Sequence, residues 1–408
     1  MRILQCHNLY QQPGGEDRVV EDERALLESH GHEVVVHTVH NDDVGDVSKP
    51  RLAGRTVWSR SSAKKLRELV RRHRPDVAHF HNTLPLMSPS SYYAVRAEGV
   101  PVVQTLHNYR LLCPKATFFR DQQICEDCLT KTVKWPAVLH SCYRESRAAS
   151  AAVAVMLTVH NQLRTYHREV DAYIACSPFS RKKLIEGGYP GERIHLKSNF
   201  VNDAPEAGTG RGGYAMFLGR LSPEKGVDVL VRTWKRLSGR PLLVVGDGPQ
   251  SELIKGLAAS EDLVRYEARV SGSTLIELLR DAAFLVLPSM TYEGFPKVIA
   301  EAYACGLPVV ASNIGAMRDI VVDGETGRHF RYGDDADLAR VCTELFEDPA
   351  QLRKLRHGAR NAFETSYTAE TNYVELMAIY RMAQKHFDRG HLTRKQDEVP
   401  ADPKPTTT

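Results

Sequence analysis

Long apolar runs are missing from this chain. A membrane-spanning helix needs roughly 20 consecutive apolar residues. The longest candidate, Ala148–Val159, stops well short and predicts a buried helix instead. The opening residues, MRILQCHNLY, enter a strand-like pattern without the core of a secretory leader, so none is expected. Glycine and proline, 28 and 21 of 408 residues, are at their ordinary share, which excludes a collagen-like or low-complexity chain. Cysteine is sparse outside one cluster: Cys6, Cys176, Cys305 and Cys342 stand alone and read as buried thiols. Structural disulfides are not expected of a cytoplasmic protein, which this composition describes. What remains is a globular balance, 42% hydrophobic and 25% charged, in a chain too long for one ordinary core.

An excess of positive charge is also missing except in one place. The net charge is +4; residues 1–200 hold 28 Lys or Arg against 21 Asp or Glu, and the remainder 26 against 29. Residues 51–74 alone carry nine basic side chains against Glu68. No broad basic face is available for nucleic acid, and one local anionic contact is expected. Within 61–74, Ala63, Leu66, Leu69 and Val70 share one side of a helix, with Lys64, Lys65, Arg67, Arg71 and Arg72 around the rest. Such a helix either lies on an anionic membrane surface or packs on the protein with a solvated basic face.

Strand and helix patterns alternate through two halves. Ile3–Cys6, Glu33–Val39, Val77–Phe80, Val100–Leu106 and Tyr173–Cys176 read as strands of the first half. A helix begins near Ser180 and ends at Gly187-Gly188. The stretch 200–213 is rich in Gly, Ala and Pro and reads as a linker. Tyr214–Leu218, Leu242–Val245, Phe284–Leu287 and Pro308–Ala311 then restart the pattern. This predicts an α/β protein of two Rossmann-like, doubly wound domains, 1–200 and 201–368, with the ligand in the cleft between them. A last helix is expected over 369–390, and residues 391–408 should be a disordered tail.

The strongest chemical signal is TYEGFPKVIAEAYACGLPVVAS, residues 291–312. Pro296 suits the start of a helix directly after a strand, so the free amides at Phe295, Lys297 and Val298 form an anion site to which the Lys297 charge adds. Glu293 and Glu301 beside it suit a ligand that brings hydroxyls and a developing cation, as a phosphate-bearing sugar does. Without such a ligand they are a dipole-complementing acid and an exposed helical Glu. In FLGRLSPEKGVDVLV, residues 217–231, Gly219 ends a strand, and Arg220 and Lys225 aim two cations at the same cleft. The segment lacks the GxxxxGK[ST] order, and VVGDGPQ lacks GxGxxG, so a nucleotide triphosphate loop or nicotinamide site is not indicated.

On these residues, together with Gly14-Gly15, GHEV at 31–34, DVAHFHN at 76–82 and PVVQTLHNYR at 101–110, the chain resembles the family-4 retaining glycosyltransferases of the GT-B fold (glycosyl transferases group 1) over nearly all of 1–375. It departs from them at Gly315-Ala316-Met317-Arg318-Asp319 and at Glu267-Ala268-Arg269 before Val270-Ser271, near the nucleobase. The resemblance implies a GT-B architecture whose C-terminal helix crosses back to the first domain. It implies transfer of a hexose-type sugar from a nucleotide-diphosphate sugar donor to a hydroxyl of a glycan or lipid-linked acceptor, as in cell-surface polysaccharide or glycolipid synthesis. No cofactor is required for catalysis. Arg220 and Lys225 would neutralise the leaving diphosphate, Glu301 would hold the ribose, and Glu293 with Gly294, Phe295 and Pro296 the sugar. Gly14 and Gly15 would approach the phosphates, His107 would contact the sugar from the opposite domain, and Asn199 would lie near the cleft. A lipid-linked acceptor would fit a peripheral position on the inner face of the membrane through 61–74.

Three features stand beside this scheme. Cys113, Cys125, Cys128 and Cys142 fall in an insertion, 113–142, after the His107 strand; they read either as reduced thiols or as a structural zinc site, with His140 as a spare ligand. The DxD-like DDVGD and DDAD read as turn and cap acids. His37, His40, His79 and His81 read as strand-end or core residues. Two other functions remain open at this level: a nucleotide-sugar epimerase of similar two-domain build, and a non-catalytic nucleotide-sugar binding protein.

Overall fold

The computed structural model describes residues 1–11 and 14–397. The first sheet holds β1 (Arg2–Leu9), β2 (Glu33–His40), β3 (Val77–Phe80), β4 (Val102–Leu106), β7 (Ala172–Ala175) and β8 (Ile194–Leu196). A short hairpin, β5 (Phe119–Arg120) with β6 (Gln123–Ile124), sits in the insertion. The second sheet holds β9 (Ala215–Leu218), β10 (Leu242–Val245), β11 (Val264–Glu267), β12 (Phe284–Leu287), β13 (Val309–Ser312) and β14 (Gly327–Phe330). Strand orders are β2-β1-β3-β4-β7-β8 and β11-β10-β9-β12-β13-β14, and every pairing within these two sheets is parallel.

Of the strands predicted from apolar runs, β3, β4, β7, β10, β12 and β13 are buried at every residue, whereas β2, also predicted, is an edge strand with no buried residue. Those that escaped prediction, β8 (IHL), β11 (VRYE) and β14 (GRHF), lie at sheet edges and are only three or four residues long, with polar or charged residues interrupting the apolar signal. The helix Pro178–Glu186 starts at Ser177, whose hydroxyl accepts from the Ser180 amide.

The chain passes between sheets from Leu196 to Ala215. One apolar cluster nevertheless spans both lobes, including Leu106, Tyr109, Phe118 and Phe179 on one side and Phe295, Ile299 and Met317 on the other. The last helix, Ala369–Asp397, crosses back as expected: Leu376, Ile379, Tyr380 and Ala383 pack with Ile3, Val77, Val103 and Ile174 of the first sheet. It also continues past residue 390, so the expected disordered tail is corrected over 391–397; residues 398–408 lie outside the described residues. Among the described residues no helix is long and apolar enough to cross a membrane.

Candidate active site

Open parallel sheets bind ligands beyond the carboxyl ends of their strands, where the strand order reverses. Those reversals lie at β1/β3 in the first sheet and β9/β12 in the second. The loops leaving these strands and β4 carry Gly14-Gly15, His81, His107, Arg220 to Lys225, and Glu293 to Lys297.

In the second lobe, Pro223–Lys225 forms a single 3-10 turn and Gly226 begins the helix Val227–Arg236 with φ 73°. A side-chain carbon on Gly226 would come 1.8 Å from the Pro288 carbonyl oxygen, so only glycine lets this turn lie against the β12 loop. That close approach delivers Lys225 to Glu293, Nζ to Oε1 2.7 Å, where the Ser289 hydroxyl also donates to Oε1 at 3.0 Å. Arg220 is exposed at the mouth beyond β9. The glycines of VVGDGP serve packing: a carbon on Gly246 would meet the Gly219 carbonyl oxygen at 1.9 Å, and one on Gly248 the Leu221 oxygen at 2.4 Å.

The helix Lys297–Ala304 begins after Pro296, and no side chain caps it, which leaves first-turn amides open. Lys297 does not point freely into this anion site as expected. Its Nζ pairs with Asp22 from the first-lobe helix Gly15–Ser29. An ion pair between lobes satisfies that charge better than an isolated, half-desolvated ammonium would be. Glu301 is half-buried one turn further on. Burial raises its carboxyl above the usual range, opposed by Lys297 and by Arg18 of the same first-lobe helix.

In the first lobe, the Gly14 amide donates to Asp17 Oδ2 at 2.8 Å and Asp17 Oδ1 meets His7 Nε2 at 2.8 Å. No atom lies within 4 Å of where a side-chain carbon on Gly14 or Gly15 would stand, so the helix entrance faces open space. His107 Nε2 lies 3.0 Å from His81 Nδ1. Burial, with His7 and Lys197 adding, holds the His107 imidazole well below its ordinary value, so the ring is neutral near pH 7. Behind it Glu23, His79 and His81 bring ligand-type atoms within 4.8 Å of one another. Lys197 Nζ stands 2.5 Å from Glu23, and His79 is already bonded to Tyr380 and Thr105 at 2.9 and 2.7 Å. His79 is thus a satisfied core residue, whereas Glu23 Oε2 and His81 Nε2 are buried without a hydrogen-bond partner among the described residues.

The lobes meet along 291–295. A carbon on Gly294 would stand 2.4 Å from the His107 carbonyl oxygen. The Tyr109 hydroxyl donates to the Glu293 carbonyl at 3.0 Å, Ser180 to that of Gly294 at 3.3 Å, and Asn199 Nδ2 to that of Phe295 at 2.9 Å. Thr291 donates to the Thr117 carbonyl, and Tyr292 packs edge-on to Phe179, ring centroids 4.6 Å apart. Tyr109, Ser180, Asp22 and Arg18 were invisible to sequence reasoning: each is an ordinary helix or turn residue until the second lobe is laid against it. A pocket opens beneath His107, lined by Glu16, Asn82, Gln104, Asn108 and Arg110.

Two predicted features lie away from this cleft. Cys113, Cys125, Cys128 and Cys142 are free thiols around one small pocket of the insertion. The helix Arg60–His73 turns Ala63, Leu66 and Val70 into the core and leaves its cations in solvent. Its apolar face is therefore not free to enter a bilayer.

Comparison with known proteins agrees with this geometry. The family model "Glycosyltransferase Family 4" matches residues 13–204, and "Glycosyl transferases group 1" matches residues 205–362. The glycogen synthase of Mycobacterium tuberculosis is 28% identical over 76% of this chain and 70% of its own length. The phosphatidyl-myo-inositol mannosyltransferase of Mycolicibacterium smegmatis is 26% identical over 86% of each chain. Among solved structures, Anabaena HepE in complex with UDP superposes with a TM-score of 0.65 at 18% identity, covering 93% of this chain and 99% of that one. Sucrose-phosphate synthase from Thermosynechococcus elongatus gives 0.67 at 18% identity over 97% and 99%.

Proposed function

As a member of the group 1, family-4 glycosyltransferases of the GT-B fold, to which this chain belongs, the protein is an enzyme of glycosyl transfer, and we propose that it moves a hexose-type sugar from a nucleotide-diphosphate donor to a hydroxyl of a glycan or lipid-linked acceptor, with retention of configuration. The observation that carries this reading is the convergence on one cleft of the Lys225–Glu293 pair, exposed Arg220 and an uncapped helix start, with neutral His107 facing them from the other lobe.

Each group has a task in the step. As the bond from the anomeric carbon to the diphosphate oxygen breaks, positive charge grows on the sugar and negative charge on the departing phosphate. Arg220, Lys225 and the first-turn amides at Lys297 meet that negative charge where it develops. Lys225 leaves or shares Glu293 to do so, which frees the carboxylate and the Gly294, Phe295 and Pro296 backbone for the sugar hydroxyls. Glu301, whose carboxylate makes no hydrogen bond among the described residues, takes the ribose. The acceptor enters through the pocket at Glu16 and Arg110. Its oxygen bonds to the anomeric carbon on the face being vacated, and its proton passes to the diphosphate oxygen. The HepE complexes with UDP and with UDP-glucose favour a nucleotide-sugar donor for a cleft of this shape. A cytoplasmic site at the inner membrane face, held by the exposed cations of Arg60–His73 and aided by exposed Trp58, fits a lipid-linked acceptor; loss of salt-sensitive flotation with anionic liposomes would remove that part.

The test is a panel of nucleotide-diphosphate sugars, each incubated with and without candidate acceptors, with products resolved by anomer. Acceptor-dependent release of nucleoside diphosphate and a retained anomer are expected. Epimerised donor without acceptor identifies an isomerase, and thermal stabilisation by nucleotide without turnover identifies a binding protein. A glycosyl adduct trapped on Glu293 would overturn the front-face route.

A further inference from the structure

The insertion that follows β4 is poor in the things that hold a loop together. Between His107 and Arg147 its regular structure is the hairpin β5–β6 and the five-residue helix Trp135–Leu139. Seven non-glycine residues there, Ala116, Phe118, Asp121, Gln122, Ser141, Arg144 and Glu145, hold positive φ, each in a region L-residues avoid. Val133, Trp135 and Leu139 are more than half exposed. Leu112, Phe118 and Leu129 anchor the segment in the core, but with so little regular structure and so much unfavourable backbone its outer part needs a staple.

Four thiols from three separate stretches of this segment, Cys113, the Cys125/Cys128 pair and Cys142, line one pocket. The second observation is independent of the sulfurs. Lys134 is buried at 3% exposure, and its ammonium donates to the Cys128 and Leu129 carbonyls at 2.7 and 3.4 Å, with no carboxylate on it. Arg120 and Lys115 line the same pocket. A buried ammonium held only by carbonyls lacks its counter-charge. Four thiolates on a divalent ion carry a net charge of about −2 and supply it.

We propose that Cys113, Cys125, Cys128 and Cys142 bind one zinc ion in a closed, structural, tetrahedral site. Four soft ligands without an open position select zinc over the harder divalent ions and leave no place for a reacting water. No three of the sulfurs lie within 4.8 Å of one another among the described residues. Zinc–sulfur bonds of about 2.3 Å require roughly 3.8 Å between sulfurs, so the side chains rotate inward on binding. The site then fixes the surface against which the second lobe closes. Thr117 takes the Thr291 hydroxyl and Phe118 meets the Tyr292 ring at 6.0 Å between centroids, while Glu126 ties the insertion to Lys183 of its own lobe at 2.9 Å. The residue after Tyr292 is Glu293, so the zinc acts as a positioning device for that loop.

The test uses the full-length protein purified from zinc-supplemented medium. Elemental analysis is expected to find about one zinc per chain, and C125S and C128S to lower it at least about fivefold. Stepwise titration of the unmutated protein with an organomercurial should release the zinc as the thiols react, which keeps the test valid if a variant fails to fold. Cobalt replacement should give thiolate-to-metal charge-transfer absorption. Wild-type protein with four reactive thiols and no zinc, or zinc retained in full by C128S, overturns the site. Neither readout depends on glycosyl transfer.

Discussion

Lys225 and Glu293, the cation and the carboxylate of the cleft, neutralise each other at 2.7 Å. They come from loops after β9 and β12, and the Gly226 turn lying on Pro288 brings them together. In the proposed reaction a diphosphate competes for one half of this pair and a sugar hydroxyl for the other.

Lys225→Met and Arg220→Ala should each slow transfer about a hundredfold, near 3 kcal/mol of lost stabilisation for the leaving group. Steady-state rates with saturating donor read this directly. An effect confined to KM would mean the cations hold the donor without assisting departure.

Gly294→Ala probes closure. Its new carbon would enter the His107 carbonyl at 2.4 Å, with backbone on both sides, so the lobes must part. A cost of roughly 1–3 kcal/mol in melting stability is expected. The nucleoside diphosphate should also stabilise the variant less than the wild type. Unchanged melting with and without nucleotide would count against the tight seam.

Acid should weaken the first lobe through His79. Burial holds this imidazole down to about 4, with the Glu23 charge opposing. The unfolded chain takes up that proton near pH 6.5. Stability is therefore complete above about 6.5 and is lost as pH falls toward 4, by about 3 kcal/mol for this group alone. Urea midpoints between pH 7 and 4.5 should fall for the wild type. Its advantage over His79→Gln should narrow by about 2 kcal/mol across that window.

Brief exposure to EDTA should leave the transfer rate within about twofold, because the proposed step stabilises the departing diphosphate with side-chain cations and amides alone. Rates restored only by added magnesium would refute this. A closed thiolate site exchanges its metal too slowly for a short treatment to reach it.

Legibility in the sequence followed burial. Apolar runs announced the central strands because both faces of those strands are covered by protein; of the edge strands β2 was readable from its run of valines, while β8, β11 and β14, short and interrupted by His, Arg or Glu, stayed hidden. The same logic divides the site. The placement of Arg220, Lys225, Glu293 and Glu301 beyond strand ends and around one helix start was readable because a strand end, a proline and a helix start are local signals. Lys297 misled: its local position says anion site, but Asp22 from a helix some 270 residues earlier in the chain captures it.

By itself, then, the sequence determined two parallel sheets, the loops at their carboxyl ends and the residue types those loops carry, since strand burial and helix starts are local consequences of composition and order. Only the tertiary structure decided which charges are spent and which remain available. Pairing of Lys225 with Glu293, Lys297 with Asp22, and the Gly294 backbone with the His107 carbonyl depends on how two lobes are set against each other, and electrostatic and packing energies fall off over a few ångströms that no one-dimensional spacing encodes.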